Sequence, residues 1–408
     1  MWRLTDEERA FRDHVRDVVL SEIRPRSIEL DDRSEYPQDI HDILARERLL
    51  GLTIPEAYGG RGMSELVGCA FIEELGKVSG TVSLIGAYVD LVALPIMIGA
   101  SEELKRTYLP GLCTGETKGS YAVSEPHAGS DPAALKTTAE RRGDVYVVNG
   151  SKRFIGNAGM SDFYVVFART GGEGAKGISA LIVESDSAGV SVEPLETMGM
   201  PGWQLGAPHF EDVEVPVENL IGRENEGFKI AMMTFDRSRF VVAAQAVGVA
   251  QGAIDLALDY AMRRESMGKP LMGHQGIQFK LADMEADVAA ARALTFQAAS
   301  FADAGDPRLT KISSSAKLVA SDVAMRVTTE AVQILGGNGY LKDFPAERMM
   351  RDAKVLQIYE GSNEIQRLVI ARQMVKQAAG REAIWPEVMP GDENVAAGLP
   401  SGDVPARA

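Results

Sequence analysis

A chain of 408 residues with 45% hydrophobic content has room for roughly two to three domains of about 150 residues with sizeable cores, which excludes a disordered or fibrous protein. Its 43 basic and 58 acidic residues give a net charge of -15, spread without long single-sign blocks. That balance argues against a nucleic-acid footprint and leaves anionic ligands to local arginines.

The N-terminus opens with Thr5 and Asp6 as helix caps and lacks the basic region, apolar core and cleavage site of a signal peptide, so no export and a cytoplasmic location are expected. Helical patterns run near 5–31, 37–49, 64–79 and 101–113, broken by Pro55, the Gly59-Gly60-Arg61-Gly62 turn and Pro95, which predicts a helical domain over 1–116. Cys69 and Cys113 lie within it, far apart and without a CxxC pair. They suggest a reducing compartment and ordinary buried thiols, with no metal or disulfide framework.

Between about 117 and 226 the period switches to two. Asp144 to Val148 and Ser151 to Ile155 flank Asn149-Gly150, a strong hairpin signal, and 163–168, 178–183 and 209–215 are further strand candidates. From 227 to 384 the chain is helical again, with apolar stripes through 228–263, 273–303, 308–335 and 363–378. The longest charge-free apolar stretch, Phe240 to Ile254, falls short of the ~18 residues of a membrane span. Residues 385–408 mix Pro, Gly and acidic residues and are expected to form a disordered tail. Helices, then strands, then helices predict an α+β fold, mainly α, with segregated domains and no alternating βαβ units.

Glu360 is the best candidate base. It sits beside Gly361, ahead of the capping residues Ser362 and Asn363 and the final apolar stripe, so it is a loop carboxylate on a rigid scaffold. The same position also suits an acidic residue that merely favours a helix start, and the local sequence leaves both open. The cluster Gln333-Ile334-Leu335-Gly336-Gly337-Asn338-Gly339-Tyr340 follows a helix, which excludes a Rossmann fingerprint. It is either a helix C-cap or a place where bare backbone approaches a cofactor. Tyr121 to Asp131 could edge a planar cofactor ring or simply turn a corner. Arg239, Arg264 and Arg372 could each grip a phosphate or be solvated helix residues. The five histidines are scattered and offer no metal spacing or catalytic triad.

In order along the chain, Tyr121 to Asp131, Asn149 to Ile155, Phe210 to Pro216, Gln333 to Tyr340 and Arg351 to Arg367 resemble motifs of the acyl-CoA dehydrogenase family, and the likeness covers about residues 4–380. The resemblance implies an N-terminal helical domain, a middle β-barrel-like domain and a C-terminal four-helix bundle. It also implies bound FAD, an acyl-CoA substrate as in fatty acid β-oxidation, electron-transfer flavoprotein as acceptor, and a homotetramer built as a dimer of dimers. Glu360 aligns with the base that removes the α-proton while the β-hydrogen leaves as hydride to the flavin. The thioester oxygen would be held by the backbone N–H of Glu360 and a ribityl hydroxyl.

The same resemblance implies that Tyr121, Ala122, Val123, Ser124 and Ser130, with Phe154, Ile155 and Gly156, line the isoalloxazine, Ser130 also touching substrate. Arg264, Gln275, Gln333, Ile334, Leu335, Gly336 and Gly337 would serve FAD across a subunit interface, and Ser362, Asn363 and Glu364 would sit near its phosphates. Asp236, Arg239, Gly361 and Arg372 match substrate-binding positions. One subgroup of the family carries its base at the position of Ser238; a serine there leaves Glu360 without a rival.

Two departures stand out. Gly156 replaces the hydroxyl residue that usually contacts flavin N5, and Met200-Pro201-Gly202-Trp203 replaces an Arg-x-Ser pattern, which could reshape the substrate mouth. The alternatives are a branched, cyclic or carrier-bound thioester, an oxidase, or a flavin-binding interaction protein without catalysis.

Overall fold

Thr5 starts the first helix with a reciprocal cap: its hydroxyl accepts from the Glu8 N–H at 3.2 Å while the Glu8 carboxylate accepts from the Thr5 N–H at 2.8 Å. The computed structural model describes residues 4–31 and 35–379. Helix α1 (Asp6–Val18) runs through a π-helical turn (Val19–Ile23) into α2 (Arg24–Ser27), and Pro25, which has no N–H to donate, follows directly on that widened turn. α3 (Gln38–Arg46), α4 (Glu65–Gly76), α5 (Gly80–Gly99) and α6 (Glu102–Thr114) complete the N-terminal helices.

α5 is the element the sequence pattern missed. Pro95 reads as a breaker, yet it lies inside this 20-residue helix, which is buried on most sides and so shows no 3.6-residue alternation. α4 and α5 pack on α7 (Gly227–Arg263). The approach of α4 to α7 is close enough to require glycine: a Cβ on Gly248 would lie 2.4 Å from the Glu73 carbonyl oxygen.

The middle domain is built from β1 (Gly119–Ala122), β2 (Thr138–Arg142), β3 (Val145–Ser151), β4 (Ile155–Gly156), β5 (Phe163–Arg169), β6 (Ile178–Glu184), β7 (Val190–Leu195), β8 (Leu205–Pro216) and β9 (Leu220–Ile221). Their order is β4-β8-β3-β2-β5-β6-β9, with β1 parallel to β5 and β7 antiparallel to β8. The Asn149-Gly150 hairpin is corrected: β3 runs straight through it. The turn lies one strand earlier, at Gly143 (φ 65°) between β2 and β3, and Asn149-Gly150 forms an irregularity in the β3–β8 register. Asn149 is held by Asp212 through two hydrogen bonds, and the Thr137 backbone lies 2.7 Å from where a Gly150 Cβ would be.

α7, α8 (Gln275–Asp303) and α9 (Leu309–Leu335) pack together, and α11 (Asn363–Ala378) lies on α9. A short ribbon, β10 (Glu265–Ser266) with β11 (Lys269–Pro270), joins α7 to α8. α10 (Ala346–Leu356), also unforeseen, packs on α9 and α7 and leads to Glu360. One main core spans the N- and C-terminal helices and one face of the sheet, and a second core fills the sheet's other side around Tyr146, Tyr164 and Phe210. α5 and α7 are each long and apolar enough to cross a membrane, but 61% and 72% of their apolar windows are buried inside the protein. The predicted tail over 385–408 lies outside the described residues.

Candidate active site

Glu360 sits in the bend between α10 and α11 with φ 55°, next to Gly361 with φ 88°. Two left-handed residues in succession reverse the chain tightly, and the turn is tied from outside. Gln366 Nε2 donates to the carbonyls of Glu360 (3.1 Å) and Gly361 (2.9 Å), and Lys317 Nζ donates to Gly361 O (2.8 Å) and Asn363 Oδ1 (3.0 Å). With both carbonyls held, the Glu360 N–H makes no hydrogen bond among the described residues. An unspent amide beside a carboxylate is what a reacting carbonyl oxygen needs.

The Glu360 side chain is surrounded by four elements. Ser238 Oγ on α7 donates to Glu360 Oε2 at 2.5 Å. Arg239 on α7 and Lys317 on α9 are its cationic neighbours, and the phenols of Tyr88 on α5, Tyr121 on β1 and adjacent Tyr359 lie close enough to feel its charge. Burial raises the carboxyl above its ordinary range against the opposing pull of Ser238, Arg239 and Lys317. The same burial lowers the Lys317 ammonium to about 7. Environment therefore makes this carboxylate a stronger base than a solvated glutamate.

Arg239 Nη1 bonds Asp236 Oδ1 (2.7 Å) and Ser314 Oγ (3.3 Å), its buried Nε has no partner among the described residues, and Asp236 also accepts from Thr310 (2.6 Å). Arg372 lies further along α11 and is partly exposed. Asp236, Arg239, Gly361 and Glu360 thus converge where α7, α9 and the 360–361 bend meet.

The two segments expected to line a ring system lie side by side. The Arg153 N–H donates to Ser124 O (2.9 Å), and Tyr88 bridges both: its hydroxyl accepts from the Tyr121 N–H (3.2 Å) and donates to Gly156 O (2.9 Å). Buried Lys152 fixes the loop from beneath, donating to Val123 O (3.1 Å), Phe167 O (2.6 Å) and Glu125 Oε1 (2.8 Å). Phe154 stands 60% exposed on a left-handed backbone (φ 62°), and Ser130 is exposed. Ala122 and Ile155 face the core and are closed to solvent.

A second group forms at the far end of α7. Arg264 and Gln275 are exposed, Gln333 is exposed on α9, and Asn338 Nδ2 bonds the Tyr260 hydroxyl at 2.9 Å. Gly336 and Gly337 have open space where a side chain would be, while Ile334 and Leu335 are core residues. Among the described residues no hydrogen bond or ion pair joins this group to the ring-lining one. At the start of α11, Ser362 and Glu364 remain accessible. The Asn363 amide group is spent on Ser321 and Asp322.

Two contributors escaped the sequence. Tyr88 was hidden with its unrecognised helix. Lys317 had a faint signal, a lysine in the small-residue run Ser313-Ser314-Ser315-Ala316-Lys317, where only a buried cation with dedicated acceptors makes sense.

Family models for acyl-CoA dehydrogenases match all three parts of the chain: the N-terminal domain over 5–116, the middle domain over 120–213 and the C-terminal domain over 225–375. The chain is 46% identical over 378 residues to the cyclohex-1-ene-1-carbonyl-CoA dehydrogenase of Geobacter metallireducens, covering 92% of this chain and all of that one. The chain belongs to the acyl-CoA dehydrogenase family. Among solved structures, the butyryl-CoA dehydrogenase of Megasphaera elsdenii superposes with a TM-score of 0.89 at 40% identity, covering 92% of this chain and 100% of the other. A chain from the work titled for the electron transferring flavoprotein of Acidaminococcus fermentans superposes with a TM-score of 0.90 at 40% identity, with the same coverage. Members of this family are FAD-dependent oxidoreductases. The exposed Phe154, the bare Gly336-Gly337 backbone and the free Glu360 amide fit such a cofactor and its substrate.

Proposed function

We propose that this acyl-CoA dehydrogenase oxidises an acyl-CoA thioester to the trans-2-enoyl thioester, with Glu360 as the base that takes the α-proton. The observation that carries the reading is the pairing, at one residue, of a desolvated carboxylate with an amide that has no other partner. The amide would hold the thioester oxygen as charge develops, and the carboxylate would accept the proton from the adjacent carbon. FAD, when bound, supplies the hydride acceptor. The Tyr121–Ser130 and Phe154–Gly156 segments would bind its ring, and Arg264, Gln275, Gln333 to Gly337 and Ser362 to Glu364 its remaining parts. Asp236, Arg239 and Arg372 would orient the substrate.

Division into domains at 116/117 and 226/227 belongs to the same reading. So does a homotetramer, supported by Met267, Phe279 and Tyr340, which stand 92, 59 and 85% exposed on the C-terminal domain. An electron-transfer flavoprotein as acceptor is supported by the source of one structural relative, and a cytoplasmic location belongs to the same reading.

A cyclic thioester is the second substrate reading, favoured by the Geobacter relative's name and by Trp203 at the altered loop. An anaerobic panel of short, medium, long, branched and cyclic acyl-CoAs tests both. Bleaching of the flavin by any member supports the reaction, the fastest member assigns the substrate, and no bleaching by any overturns it.

A further inference from the structure

We propose that Ser238 is the positioning residue for the base: its hydroxyl holds Oε2 of Glu360 and leaves Oε1 turned to the substrate. The inference rests on Glu360 being the base. Ser238 is 5% exposed on α7, and its Oγ lies 2.5 Å from Glu360 Oε2. The alternative acceptor, the Phe235 carbonyl of its own helix, is 3.5 Å away, so the single hydroxyl proton belongs to the carboxylate. Oε1 receives no hydrogen bond among the described residues.

None of the charged groups nearby makes a hydrogen bond to this carboxylate among the described residues. On α7, Arg239 is tied to Asp236 and Ser314; on α9, Lys317 is tied to Gly361 O and Asn363 Oδ1, with Asp322 and Glu364 facing it. Tyr88 on α5 is engaged with Tyr121 N and Gly156 O and Tyr359 with Gln245, while Tyr121 packs T-shaped on Phe167 and Phe235 and its hydroxyl makes no hydrogen bond among the described residues. Gln366 on α11 reaches only the Glu360 and Gly361 carbonyls. Ser238 is thus the one hydrogen-bond donor, among the described residues, to the carboxylate itself.

A donor to the ionised form does two things. It keeps the carboxylate from rotating, and it holds down a proton affinity that burial would drive higher. Removing it leaves the base desolvated, more readily protonated and free to turn away. The effect sits on the rate of proton removal and on its pH dependence, and leaves flavin binding and substrate binding untouched.

The test uses the FAD-loaded enzyme and its Ser238→Ala and Ser238→Thr variants. Butyryl-CoA, or the fastest compound of the panel, serves as probe under anaerobic conditions, and the flavin-reduction rate is followed against pH. Independently of turnover, the protonated-carboxyl infrared band, taken as the difference from Glu360→Gln, gives the pH at which Glu360 ionises. The expected result for Ser238→Ala is an upward move of about 1 pH unit in both the acid limb and the infrared midpoint, with KM and FAD content unchanged and both restored by threonine. An infrared midpoint that stays put in Ser238→Ala, or moves equally in Ser238→Thr, overturns the inference. Retained reduction in Glu360→Gln would instead remove the base assignment while the infrared comparison still decides the role of Ser238.

Discussion

Gly156 has no side chain where Trp203 already stands: a Cβ there would lie 2.9 Å from Trp203 Cζ2 and equally close to the ring of Tyr88. The two departures from the family pattern are therefore one packing event. Trp203, 8% exposed, meets Tyr88 edge-on at 5.0 Å between ring centroids, and together they fill the space that a side chain at 156 would need.

Gly156→Thr alone is expected to destabilise the protein by about 1–3 kcal/mol through overpacking and to lower FAD occupancy. Combined with Trp203→Ser, much of that loss should disappear. Urea unfolding of the two single variants and the double gives the coupling energy directly. Strict additivity would mean that the two positions are independent.

Glu360→Gln should fold and retain FAD while flavin reduction falls by about 10²- to 10⁴-fold. Stopped-flow bleaching of the flavin absorbance checks the rate, and the cofactor content of the purified variant checks the fold.

Asp90 on α5 gives a pH dependence unrelated to catalysis. Its Oδ1 is buried without a hydrogen-bond partner among the described residues, and burial pushes its carboxyl up from 3.8 to about 7. Between those values the folded state holds more protons than the unfolded one, so stability falls as pH rises from about 4 through 7 and the full penalty remains above. Asp90→Asn should remove this slope. It should make the protein more stable at pH 8, with an upper bound on the order of 4 kcal/mol, and change little at pH 4. Denaturant midpoints at the two pH values measure the difference.

Lys152→Met should cost about 3–5 kcal/mol, because Glu125 would be left buried beside an apolar side chain. The ion pair also carries the Val123 and Phe167 carbonyls. Loosening of the 121–131 loop is therefore expected to appear as lowered FAD affinity in equilibrium dialysis, which an equally destabilising substitution in the α1 core would not reproduce.

The helices at 6–18, 65–76, 227–263 and 309–335 were legible from local properties: the first two carry the caps Thr5 and Ser64, and none of the four is interrupted by a proline. α5 was not, since a helix buried all round has no polar face to betray it, and its proline is tolerated only by tertiary packing. Asn149-Gly150 misled for a related reason: turn chemistry favours a reversal there, but Asp212 on β8 captures the asparagine and keeps the strand going. At the site, Glu360, Asp236 and Arg239 could be gathered through family motifs. The link from Ser238 to Glu360 spans 122 residues and exists only once α7 and the α10–α11 bend are packed.

The left-handed turn at Glu360 puts a replaceable acid and an irreplaceable amide on the same residue. A side chain can be exchanged by one codon, whereas the N–H persists in every non-proline variant. Loss of the acid would thus turn the enzyme into a receptor: a protein that still grasps the thioester oxygen, holds its ligand ready, and never releases the proton.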